Sequence, residues 1–313
     1  MTSNLRKYAP LVLLIGLLGV AQERKSSDNT SVGVLLLAHG GASGWNREVK
    51  TLVANVDQTV PTEVAFGMAT RQSMQEGIDR LVARRVREIV AVPLFVSSHS
   101  SVITSTQYLL GLRPDAPPEL AMYAGMHHGH GEHTASASDP ATPIKSPVPI
   151  RMSTALDANP IVSDILFSRA QAISKDPAHE TVVVVAHGPV SEAENAAWLA
   201  DMSAIAAAMQ RSGSFKRIEY LTVRDDAPEP IRSRATAELR AVVERAGKND
   251  GKALVVPLLI SFGGIEAGIR KRLDGLPYTM SPQGLLPDTR LASWVVESAV
   301  SGRDTSSSRI NQP

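Results

Sequence analysis

Two stretches of the chain are apolar at nearly every position and end in the same tripeptide. Val32-Gly-Val-Leu-Leu-Leu37 runs into Ala38-His39-Gly40, and Thr181-Val-Val-Val-Val185 runs into Ala186-His187-Gly188. Strands that are apolar on both faces suit parallel sheets covered by helices on each side. A second pair follows in the same order, Ile89-Val-Ala-Val-Pro93-Leu-Phe-Val96 and Ala253-Leu-Val-Val-Pro257-Leu-Leu-Ile260. A third, weaker pair, Asn159-Pro160-Ile161 and Pro287-Asp288-Thr289, opens a helical pattern near the end of each half. Landmarks repeated in one order imply two copies of one unit.

Helical periodicity fills the gaps. Val49, Leu52, Val53 and Val56 recur at i, i+3, i+4, i+7, and Met74, Ile78, Leu81 and Val82 at i, i+4, i+7, i+8. Both read as core-facing stripes. In the second copy Ser191 and Glu194 have the pattern of a capping box ahead of Trp198, Met202, Ile205 and Met209. With second strands near Thr62 to Phe66 and Arg217 to Val223, strands and helices alternate through each copy. That alternation, with right-handed crossovers, predicts an α/β fold of two repeated lobes, each a four-stranded parallel sheet flanked by helices. The expected division is a targeting segment at 1–21, a linker at 22–30, lobes at 31–176 and 177–302, and a disordered tail at 303–313. In open parallel sheets ligands bind outside the carboxyl ends of the strands. His39 and His187 both fall there.

Composition narrows the chemistry. The 313 residues carry a net charge of +1, so a nucleic-acid partner is not expected. There is no cysteine, which excludes disulfides, thiolate metal sites, iron–sulfur clusters and a cysteine nucleophile. Any metal must be held by His, carboxylate or water. At the amino terminus, Arg6 and Lys7 precede an apolar run of 13 residues from Ala9 to Ala21, and Gly19-Val20-Ala21 has the small-x-small form of a cleavage site. The run is short of the ~20 apolar residues of a membrane span. An export signal is therefore expected, with an uncleaved membrane anchor left open; the folded part would be periplasmic or anchored facing outward, and cytoplasmic if the segment is no signal.

The two Ala-His-Gly strand ends resemble the class II chelatases, the sirohydrochlorin cobalt- and iron-chelatases, in tandem two-lobe form. So do Thr62-Glu-Val-Ala-Phe66 ahead of a helix, the Val-Pro-Leu-Phe strand, Ser153-Thr-Ala-Leu-Asp-Ala-Asn-Pro160 and Gly284-Leu-Leu-Pro-Asp288. The resemblance runs from about Ser31 to Ser301 and is better in the first half. It implies two α/β lobes facing each other across a cleft that takes a tetrapyrrole, and metal insertion with no organic cofactor. The divalent metal (Co, Fe or Ni) and the tetrapyrrole are then the partners. The resemblance also implies a metal-handling histidine after the first strand, matched by His39, and another after the third. Counted from Pro93 without a gap, the second falls at Ser101, while this chain has His99 two residues earlier. His187 keeps the first position in the second copy, but Phe262-Gly-Gly264-Ile265 offers no second histidine.

His39 and His99 are accordingly the expected catalytic and metal-binding pair. A neutral imidazole can bind a divalent metal and can accept a pyrrole proton. Because the implied substrate is a polycarboxylate, Arg47, Lys50 and Arg71 near the strand ends are expected to help hold it, with Ser101 and His187 as lesser contacts. Between the third and fourth strands of the first copy lies an insertion, about Leu112 to Pro147, rich in Pro, Ala and Ser and carrying His127, His128, His130 and His133. Its composition predicts a mobile loop, and its histidines a labile, metal-collecting arm. Two other readings remain open at this stage. One is an extracytoplasmic protein of chelatase descent that binds metal or tetrapyrrole without catalysis. The other is a flavodoxin-like or periplasmic ligand-binding protein, which explains two lobes but not the repeated Ala-His-Gly.

Overall fold

The structure, a computed structural model, describes residues 32–125, 141–213, 215–248 and 251–301. The amino-terminal segment, the four clustered histidines His127, His128, His130 and His133, and the tail lie outside the described residues.

The first half runs β1 (Val32–Ala38), α1 (Ser43–Asp57), β2 (Thr62–Phe66), α2 (Arg71–Ala83), β3 (Glu88–Pro93), α3 (Ser101–Leu109), α4 (Leu120–Gly125), β4 (Ile150–Met152) and α5 (Pro160–Ile173). The second runs β5 (Glu180–Ala186), α6 (Glu192–Ser212), β6 (Arg217–Thr222), α7 (Ile231–Ala246), β7 (Lys252–Leu258), α8 (Ile265–Arg272), β8 (Thr279–Met280) and α9 (Arg290–Val300). Each half forms a parallel four-stranded sheet, in the orders β2-β1-β3-β4 and β6-β5-β7-β8. The registers agree as well. Leu37 pairs with Pro93 and Val185 with Pro257, so the two prolines, like His39 and His187, hold equivalent places. Proline is tolerated there because the short edge strands β4 and β8 pair with β3 and β7 only below it.

Every residue of β1 and of β5 is buried. Alternate side chains point to opposite faces: Leu35 and Leu37 join Ile78, Leu81 and Ile103 in an outer core, whereas Val34 and Leu36 join a core shared by both halves. That shared core contains Val49, Leu52 and Val56 of α1, Ile165 and Leu166 of α5, Met202, Ile205 and Met209 of α6, and Trp294 and Val295 of α9. Each such side chain contributes ~1.5–3 kcal/mol on burial. The helix that closes each half crosses over. α5 packs on β7 and α6, and α9 packs on β1, β3 and α1.

Arg169 of α5 reinforces the seam from a largely buried position. Its Nε donates to the Gly284 carbonyl at 3.0 Å, and its Nη2 to the carbonyls of Leu285 at 3.2 Å and Pro287 at 2.8 Å. The caps follow the sequence in part. The Asn159 side chain accepts the N–H of Ile161, while for α9 Asp288 accepts the N–H of Arg290 at 3.0 Å.

The expectation of a loop throughout 112–147 is corrected at its edges. α4 forms within it, Leu120 and Tyr123 are buried in the outer core, and Ile144 packs there too, because these flanks carry enough apolar side chains to cover α3. Among the described residues no helix is long and apolar enough to cross a membrane.

Candidate functional site

The site is built where β1 and β3 end. The chain leaves β1 through Gly40 at φ +82° and leaves β5 through Gly188 at φ +76°, a left-handed turn that glycine adopts without a Cβ penalty. This sharp exit leaves His39 and His187 at the sheet lip. His39 is exposed, and its Nδ1 lies 2.6 Å from the Gly40 carbonyl. A carbonyl only accepts, so Nδ1 is the donor in this contact. Beyond it, Asn46 closes the glycine-rich turn, accepting from Gly41 N–H at 2.9 Å and donating to Gly41 O at 3.0 Å.

His99 stands on the neighbouring strand's exit, in the loop between β3 and α3. Its ring is about half exposed, at 53%. Its N–H donates to the buried Ser97 hydroxyl at 3.1 Å. The preceding Ser98 is tied by its N–H (2.6 Å) and its hydroxyl (2.8 Å) to Asp157, which sits at φ +46° in the turn after β4.

From the other half, α6 closes on the same loop. Trp198 Nε1 donates to the His99 carbonyl at 3.0 Å, and Asp201 Oδ2 lies 4.0 Å from His99 Nε2. Asp201 Oδ2 is buried and accepts no hydrogen bond. Burial pushes the Asp201 carboxyl above the usual aspartate range, the Asp157 charge adds to this, and His99 opposes it.

Ser101 begins α3 behind its N-cap Ser100. Its hydroxyl and the Tyr123 hydroxyl are 2.6 Å apart, and its N–H faces the Glu194 carboxylate. Burial raises Glu194 above the usual range, the Ser101 N–H opposes that, and the Glu119 charge adds to it. Burial likewise raises Tyr123, against the Ser101 hydrogen bond. The capping box read from Ser191 and Glu194 is therefore half formed. Ser191 Oγ accepts the Glu194 N–H at 3.4 Å, but the Glu194 side chain reaches across to the first residue of α3, which the spacing alone could not reveal.

The second half repeats the frame without the second histidine. Counted from the equivalent prolines, Ser261 stands at the place of Ser97 and Gly263 at the place of His99. Ser261 Oγ donates to Glu48 of α1, Gly263 backs onto Trp45, and the N–H groups of Gly263 and Gly264 are taken by Glu266 at 3.0 and 2.9 Å. His187 Nε2 lies 3.4 Å from Asp226 Oδ2. Its loop is pinned by buried Arg224, which donates to the carbonyls of Pro189 and Val190, both at 2.6 Å.

Of the basic residues expected to hold substrate, Arg47 and Lys50 are exposed on α1. Arg71, at the start of α2, donates from Nε to the Thr142 carbonyl at 2.7 Å and so anchors the return of the insertion. Sequence reasoning missed Trp198, Asp201 and Tyr123. One signal was present: Glu194, Trp198 and Asp201 recur at i, i+4, i+7, a polar and aromatic stripe beside the apolar one on the same helix.

Among the described residues, no group of three or more His, Asp or Glu side chains is arranged to hold a metal ion. His39 and His99 follow the ends of β1 and β3, which are neighbours in the first sheet.

The model of the CbiX family matches residues 33–173. A sirohydrochlorin cobaltochelatase of Methanothermobacter thermautotrophicus is 28% identical over 93 residues, a match that spans 29% of this chain and 65% of that relative. Among solved structures, SirB from Bacillus subtilis with Fe3+ superposes with a TM-score of 0.59 at 16% identity, covering 88% of this chain and 98% of that one. The sirohydrochlorin chelatase SirB from Bacillus subtilis subspecies spizizenii, in complex with cobalt, gives 0.55 at 16% identity, covering 87% and 98%. At such identities the structures speak to the fold, and it is the same α/β fold. The first lobe thus matches the CbiX family, and the two lobes together share the fold of the solved sirohydrochlorin chelatases.

Proposed function

We propose that the chain inserts a divalent metal, Co, Fe or Ni, into a tetrapyrrole of the sirohydrochlorin class. The observation that carries this is the standing of His39 and His99 at the carboxyl ends of neighbouring strands, in the lobe that matches the family. Insertion exchanges pyrrole N–H protons for the metal, so the site needs a weak ligand set and a base. With Nδ1 donating to Gly40, His39 Nε2 is the nitrogen that takes the pyrrole proton or touches the metal. His99 is the second ligand. The macrocycle nitrogens complete the coordination as the metal leaves the imidazoles. The name of the Methanothermobacter relative supports cobalt as the first metal to try.

Three further readings belong to the same proposal. The clustered histidines at 127–133 collect metal for the site, so deleting residues 125–135 lowers loading at limiting metal and leaves insertion at saturating metal unchanged. Arg47 and Arg71 contact the substrate's carboxylates, with His187 a lesser contact. The segment 1–21 exports or anchors the chain, which the mass of the mature protein tests.

The experiment is insertion of Co2+ into sirohydrochlorin by the full chain, followed by absorbance. The rival reading, a protein that holds metal or tetrapyrrole without catalysis, draws on Gly263, which leaves the second lobe without a second histidine. It predicts binding with no acceleration of insertion.

A further inference from the structure

The second half lacks the second histidine, yet its first helix closes on the loop that carries His99. We propose that Asp201 of α6 is the positioning carboxylate of His99, so that the first lobe's site is completed by a residue of the second. This rests on the reading of His39 and His99 as the metal-handling pair.

The His99 backbone is held from both sides. Its N–H goes to Ser97 Oγ within the lobe, at 3.1 Å, and its carbonyl accepts from Trp198 Nε1 across the seam, at 3.0 Å. With the backbone fixed, only the ring's own torsions remain. Trp198 and Asp201 lie three residues apart on one helical face, so the indole that fixes the backbone also sets the distance from the carboxylate to the ring.

Asp201 Oδ2 stands 4.0 Å from His99 Nε2, too far for a hydrogen bond. It is nonetheless a buried oxygen that accepts nothing, and leaving a buried acceptor unmade is costly. The neighbouring Asp157 is already committed to Ser98 through both oxygens. Asp201 is thus the carboxylate in this cluster with an oxygen held in reserve.

A ring rotation that shortens the gap by about 1 Å makes a charge-assisted bond from Nε2–H. That bond fixes the tautomer and turns Nδ1 outward as the metal-binding nitrogen, the arrangement in which a carboxylate orients a metal-bound histidine. The reciprocal contact in the other half, Glu48 of α1 with Ser261, stands beside Gly263 and has no ring to orient.

The test follows the His99 ring itself, in nitrogen-detected NMR of the full chain labelled at histidine. The His99 signals are identified by their loss in His99→Ala, and Zn2+ is the probe. In the wild type Zn2+ shifts Nδ1 of His99. In Asp201→Ala the same shift needs about 10- to 100-fold more Zn2+, while the melting temperature stays level or rises, because the deleted oxygen had no partner. Equal Zn2+ response of His99 in wild type and Asp201→Ala overturns the proposal and leaves the site reading intact. A weaker response accompanied by a lower melting temperature also overturns it, since lost packing then accounts for the change. If Zn2+ reaches neither His39 nor His99 in the wild type, the site reading itself fails and this proposal with it.

Discussion

The loop after β3 and the loop after β7 start alike and finish differently. Both leave their strand at a proline, Pro93 or Pro257, and both place a serine four residues later, Ser97 or Ser261, that is buried and hydrogen-bonded. The next residues are Ser98-His99-Ser100 in one and Phe262-Gly263-Gly264 in the other. In the first, Ser98 and His99 are tied to residues outside the loop, Asp157 and Trp198, and Ser101 just after them meets Glu194 and Tyr123. In the second, the backbone N–H groups are satisfied locally by Glu266. The buried positions fix the path of the chain, and the residues after them decide whether it carries a histidine. The fold therefore stands with or without a histidine in that loop, because the shared core built from α1, α5, α6 and α9 does not depend on those positions.

The sharpest way to break this comparison is to change the equivalent positions in parallel. His99→Ala is expected to lower insertion about 10- to 100-fold, and Gly263→Ala less than about threefold. Gly263 has no strained φ, and an added Cβ would meet Trp45 at 3.4 Å, so the alanine fits with a small adjustment. Comparable losses in the two variants would mean that both loops serve the reaction.

The seam is tested next. Arg169→Ala removes the donors of three carbonyls in the 284–287 segment and is expected to cost about 2–4 kcal/mol, a fall of about 5–10 °C in melting temperature. A change of less than ~1 °C would show that the crossing helices hold the halves together by apolar packing alone.

Two seam carboxylates should respond to pH with opposite signs. Burial pushes Asp288 up, but the hydrogen bonds and charge of Arg290 and the charge of Arg169 outweigh it and hold the carboxyl below the usual aspartate range. Its contribution is present above that range and lost as pH falls through the folded value. Asp288→Asn should therefore lower the melting temperature by about 2–4 °C at pH 7, the gap closing in acid. Glu194 is raised, so its carboxyl favours folding in acid and loses that contribution as pH rises through its folded value. Glu194→Gln should raise the melting temperature by about 1–2 °C at pH 7, the gain vanishing below the ordinary glutamate range. Melting curves from pH 3 to 8 read both, and equal signs would contradict the assignment.

What the sequence made legible was whatever is periodic and buried. Val49, Leu52 and Val56, or Met202, Ile205 and Met209, announce their helices because burial repeats with the helical period. The doubled Ala-His-Gly and the two prolines give the repeat because they mark the same register in both sheets. The crossing of α5 and α9 was not legible, since an apolar stripe says that a helix is covered and not by which sheet. The same limit hid Asp201 and Trp198. Their partners are about a hundred residues away, and a short polar stripe on a helix reads as solvated surface until the fold brings a loop against it. The edges of the insertion were misread because its Pro- and Ser-rich composition concealed Leu120, Tyr123 and Ile144.

The proposed function requires chemistry at the end of β1 and none at the equivalent end of β5. The most direct measurement is Co2+ insertion into sirohydrochlorin by the full chain, with His39→Ala and His187→Ala assayed beside it. The prediction is a loss of at least about 10²-fold in His39→Ala and less than about threefold in His187→Ala, both variants melting within ~2 °C of wild type. Full activity in His39→Ala, or matching losses in the two variants, would contradict it.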